Sequence, residues 1–132
     1  MEQTPDYNKH ILPRIKYNSP VILSFTFLSF FIVLIGYFTN NEITKKFFMI
    51  YYTSLYDPLF YIRLFTHVIG QIDFNHFFSN FMIILLIGPM LEEKYGSMNI
   101  LFMMMFTAFI TGILHILISD TALLGASGIV FM

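Results

Sequence analysis

No charged side chain occurs between Lys16 and Glu42, and the stretch VILSFTFLSFFIVLIGYFT (21–39) is apolar almost throughout. Nineteen residues rising about 1.5 Å each cover close to the 30 Å of a hydrocarbon core. Lipid offers no partner to a bare N–H or C=O, so such a segment must be a helix or part of a closed barrel. The run is too long for a secretory signal, and no A-x-A-like cleavage site follows it. The rest of the chain agrees. Of 132 residues, 57% are hydrophobic and 11% charged, and the mean hydropathy is +0.72. A water-soluble domain of this length cannot hide so much apolar surface.

Two more uncharged runs follow. FNHFFSNFMIILLIGPML (74–91) lies between Asp73 and Glu92, and YGSMNILFMMMFTAFITGILHILIS covers 95–119. The tight connection EEKYGS predicts an antiparallel hairpin. A fourth apolar run starts at Thr121 and holds 12 residues, too few to span. The expected spans are therefore about 21–39, 74–91, 97–119 and an incomplete 123–132. A half-span leaves backbone groups unmet in lipid, so the expectation is a truncated chain. Residues 1–20, with Lys9, Arg14 and Lys16, read as a polar tail. Residues 40–73 carry Glu42, Lys45, Lys46, Asp57 and Arg63 among many aromatics. They are too charged to span and too apolar for water, which predicts an interfacial loop with short helical pieces and a turn at Pro58. Many of the 8 Tyr lie near span ends, where amphipathic rings anchor. The fold class is thus all-α, a polytopic transmembrane helix bundle. Lys and Arg divide three, three, one and none among the tail and the successive loops. The tail's three precede the first span, which favours an inside amino terminus.

Net charge −1 points away from nucleic acid, and no cysteine is present, which excludes disulfides and thiolate metal sites. The four histidines lack the spacing of a zinc motif, so neither metal nor cofactor is expected. Polar groups at membrane depth each need a reason. His76 and Asn80 are four apart and share a helix face. Both donate hydrogen bonds and can either stabilise an oxyanion or join helix to helix. Ser127 sits in LLGASGIVFM with an unpaired backbone N–H expected at a helix start. Gly125, Ala126 and Gly128 leave room for a base, or simply allow close helix packing. The soluble-hydrolase elbow does not apply, since position 129 is Ile. His115 reads as an interfacial polar residue, and His67 as part of a loop closure with Arg63 and Thr66. His10 lies in the tail.

The stretches RLFTHVIGQIDFNHFFSN (63–80), GPMLEEKYGS (88–97) and GASG (125–128), in this order, resemble the rhomboid family of intramembrane serine proteases. The resemblance covers about residues 40–132. It implies that Ser127 is the nucleophile of a Ser-His dyad, and that His76, Asn80 and the Ser127 N–H line the oxyanion hole. Arg63 and Glu92 then match structural positions, and Gly125 and Gly128 the small residues around the serine. The loop departs from the family where Ile62 precedes Arg63 and where Gln71 stands about where a second histidine is often found. The family's general base is a histidine on a sixth span, and His115 on the third does not match it. The resemblance further implies a substrate that is a single-span or polytopic membrane protein. It also implies a multi-pass position in a lipid bilayer, with the bacterial plasma membrane as the expected one. A non-catalytic rhomboid-like binding protein, or an inactive fragment, is the alternative. A channel or transporter ranks last, because the polar residues gather at span ends.

Overall fold

The computed structural model describes residues 19–132; nearly all of the tail predicted for 1–20 lies outside them. Helix α1 (Pro20–Phe38) fills the first expected span. It is apolar all round, as a lipid-facing helix must be. Its first turn has no loose donor. Pro20 lacks an N–H, Leu23 N donates to Ser19 O, and Val21 N and Ile22 N donate to the Glu92 carboxylate at 2.9 Å each. Asn40 and Asn41 take left-handed φ values of 51° and 63°, which Asn tolerates better than most residues. They turn the chain into the loop.

That loop holds two short helices, as expected: α2 (Glu42–Phe47) and α3 (Pro58–Thr66). Pro58 does more than mark a turn. It is the first residue of α3, where a missing N–H costs nothing, and Asp57 caps the helix by accepting from Leu59 N at 3.0 Å. Arg63 is buried on α3. Its Nε and Nη2 donate to Lys46 O, and its guanidinium lies 4.7 Å from the Tyr51 ring centre. One side chain so ties α2, α3 and the aromatic segment between them.

The second and third spans are α4 (Phe74–Tyr95) and α5 (Ser97–Ile118). The hairpin is tighter than its sequence implies. α4 runs on through Glu93 and Lys94, and Gly96 alone separates the helices, at φ +86°. Charged side chains at a span's end can reach the headgroups without breaking the helix. Glu92 instead turns inward, 2% exposed. α1 and α4 make the most extensive helix pair. Apolar attraction cannot drive this contact in lipid, so close approach matters. At Gly88 a side chain would begin 2.9 Å from Ile22 Cδ1. The core joins Phe77, Phe81 and Ile84 of α4 to Ile100, Met104 and Ala108 of α5, while Phe27, Met82, Phe102 and Leu117 stay exposed on the outside.

Beyond α5 the structure departs from the expected fourth span. Residues 123–126 are not helical. Leu123 pairs with Ile50 in an antiparallel bridge, and Gly125 has φ +131°. A residue bridged through its backbone to a distant residue cannot also enter a helix, and α6 (Ser127–Val130) begins only at Ser127. α6 packs on both α4 and α5.

Candidate active site

Three backbone ties hold the segment before Ser127 against the interfacial loop. Ile50 N donates to Leu123 O at 3.0 Å, Leu123 N to Ile50 O at 2.9 Å, and Gly125 N to His67 O at 2.9 Å. His115 Nε2 adds a fourth tie, donating to Thr121 O at 2.9 Å. A carbonyl can only accept, so the proton of His115 is on Nε2. Ser127 therefore leaves a pinned extended segment and opens a helix. Ala126 beside it is fully buried. The Ser127 hydroxyl and N–H have no hydrogen-bond partner among the described residues, and the side chain is only partly buried.

On the facing side, Asp73 caps α4 by accepting from His76 N at 2.7 Å. This fixes the first turn, so His76 and Asn80 lie one above the other. His76 leans over the glycine before the serine. A side chain on Gly125 would begin 2.8 Å from His76 Cε1 and 3.6 Å from Gln71 Oε1. Asn80, 8% exposed, donates from Nδ2 to Gln71 Oε1 at 3.2 Å. The structure thus brings His76 and Gln71 to Gly125, with Asn80 joined to them through Gln71. Gly128 is roomier: an added side chain would first meet Thr111 Cγ2, at 3.4 Å. Arg63 secures the loop, and Glu92 lies far off, sixteen residues along α4 from His76, or about 24 Å. Thr66 Oγ1 donates to Ile62 O at 3.0 Å and reaches Phe47 O at 3.2 Å.

A family model of the rhomboid domain matches residues 59–132, more than half of the chain and every residue of this cluster. The chain belongs to the rhomboid family. Among curated proteins nothing matches it. As a rhomboid with three apolar helices of spanning length among the described residues, it is an integral membrane protein of an intramembrane-protease family.

Two residues of this rhomboid's site are understated by its sequence. Gln71 is one, legible only as a departure from the usual loop. His67 is the other. It is 1% exposed. Its Nδ1 donates to Arg63 O and Leu64 O, both at 3.1 Å, so the neutral ring turns Nε2 toward Thr111 Oγ1, 3.4 Å away. Burial holds its pKa below the ordinary 6.5, against the raising effect of the two carbonyls and with a small push from His115. The unfolded chain then binds a proton that the folded chain refuses, over the pH range from 6.5 down to the folded value. The stabilisation is complete above that range and is lost as pH falls through it. Thermal unfolding in detergent is expected to show a lower midpoint at about pH 5 than at about pH 7.5. His67→Gln should flatten that difference, and an equally steep profile in the variant would assign it elsewhere.

Gly125→Ala is a second expected failure. It puts a side chain at φ +131° and 2.8 Å from His76. Backbone strain of this kind costs about 1–3 kcal/mol. The clash also displaces the His76 ring. A lowered unfolding midpoint is expected, while Gly128→Ala stays close to the parent.

Proposed function

We propose that this rhomboid is an intramembrane serine endopeptidase whose nucleophile is Ser127. A histidine supplied from outside residues 19–132 takes the Ser127 Oγ proton as the oxygen attacks a peptide carbonyl. The C–O bond forms, and the carbonyl oxygen becomes an oxyanion facing His76, Asn80 and the Ser127 N–H. The tetrahedral intermediate collapses, the C–N bond breaks, and the base returns its proton to the leaving amine. Water then hydrolyses the acyl-enzyme by the same steps. The substrate is a membrane-spanning helix that unwinds locally, because helical carbonyls are already engaged.

One observation carries the reading: Ser127 opens a helix with no hydrogen-bond partner for its hydroxyl or N–H among the described residues, two residues after a glycine against which His76 packs. His67 and His115 are committed to backbone carbonyls, which supports an external base. That no histidine reaches the Ser127 hydroxyl among the described residues favours a second reading, a rhomboid that binds membrane clients without cutting them. A fluorophosphonate probe on the protein in its native membrane separates the two. Labelling lost in Ser127→Ala supports the protease, and no labelling of the parent supports the binding protein.

A further inference from the structure

Gln71 is fully buried, and its two amide atoms fare differently. Oε1 accepts from Asn80 Nδ2 at 3.2 Å. Nε2 is buried with no hydrogen-bond partner among the described residues. A buried donor left unmet costs about 1–3 kcal/mol, and folded proteins rarely keep one without a use. This one belongs to an amide lying against Gly125, with Oε1 3.6 Å from where a side chain there would begin. His76 fills the place a side chain at Gly125 would take, so the glycine is what lets the His76 ring and the Gln71 amide close over the same turn.

We propose that Gln71 is a further donor of the oxyanion site, with Nε2 held ready for the scissile carbonyl oxygen of the substrate. The proposal rests on the reading of Ser127 as nucleophile and extends it. The carbonyl oxygen gains a full negative charge as the Ser127 Oγ bond forms, so a donor waiting there favours the transition state over the bound substrate. Gln71 also positions Asn80. An amide nitrogen has two N–H groups in one plane. With one engaged by Gln71 Oε1, the other is fixed in direction and left free. Gln71 remains neutral at any working pH, so its donation does not titrate.

The test uses the protein in proteoliposomes with a single-span substrate and compares three variants. Gln71→Glu keeps the length and the oxygen that holds Asn80 but replaces the donor with an acceptor. It is expected to lower kcat by about 10²-fold with KM little changed, and to lower the unfolding midpoint as well, because the second carboxyl oxygen is buried without a partner. Gln71→His restores a neutral N–H and is expected to recover part of that loss. Should Gln71→Glu fail to fold, Gln71→Met decides, since it fills a similar volume with no buried polar group. A folded Gln71→Met with the parent kcat overturns the proposal. So does a variant that loses stability but not kcat, which would assign Nε2 to a buried water. Ser127→Ala is run in parallel. If it still cleaves, the nucleophile assignment itself is wrong and the Gln71 proposal goes with it. If it is inactive while Gln71→Glu keeps the parent kcat, only the Gln71 proposal fails.

Discussion

Ser127→Ala is expected to bring cleavage of a single-span substrate down to background. The variant keeps the fold, because the Ser127 hydroxyl holds no other group among the described residues, so lost activity cannot be blamed on lost structure. It also keeps His76, Asn80 and the residue-127 N–H, so oxyanion donors remain without a nucleophile to use them. In a soluble serine protease, removing the nucleophile alone costs roughly 10⁶ in kcat. Removing a single oxyanion donor costs about 10²–10³. The same ladder is expected here: no detectable product for Ser127→Ala, slow but measurable product for Asn80→Ala. Product gel bands over a long time course read both. Cleavage by Ser127→Ala at the parent rate would remove Ser127 from the chemistry.

Glu92→Ala should be the most damaging change to stability. The carboxylate accepts from Val21 N, Ile22 N and Ser97 Oγ, the last at 2.6 Å. It therefore caps α1 from another helix, closes the α4–α5 hairpin, and sets a negative charge at the positive end of the α1 dipole. Alanine leaves one buried N–H, one partly buried N–H and a partly buried hydroxyl unmet. At about 1–3 kcal/mol each, a total loss of about 3–5 kcal/mol is expected, a large part of a domain's stability. Thermal unfolding in detergent should show a collapse of the midpoint. Glu92→Gln keeps one accepting oxygen and should fall between. A Glu92→Ala protein that melts with the parent would mean that water reaches these donors.

The spans were legible because a charge inside hydrocarbon is costly: uncharged runs bounded by Asp73 and Glu92, or beginning after Lys16, have to be where the helices are. α1, α4 and α5 match those runs to within a few residues. The candidate site is legible only through the resemblance to the rhomboid family. By polarity and spacing alone, His76, Asn80 and Ser127 fit close helix packing as well as chemistry. What the sequence does not mark is the extended stretch between Ser119 and Ser127, because hydropathy cannot tell a helix from a segment that is held by a distant partner. Leu123 pairs with Ile50, seventy-odd residues earlier, and no local pattern announces that bond. Gln71 and His67 were obscure for the same reason. Each takes its meaning from Asn80, Gly125 or Thr111, which reach it only through the fold.

The sequence by itself determined the membrane setting, the all-α class, the number of full spans and the identity of the polar residues at depth, since each follows from the local cost of placing a group in lipid. The tertiary structure alone decided what holds the chain extended before the serine helix, which carboxylate caps α1, and which amide nitrogen beside Gly125 has no partner among the described residues. Those outcomes depend on partners far apart in the chain, and a hydrogen bond exists only where packing brings both its ends together.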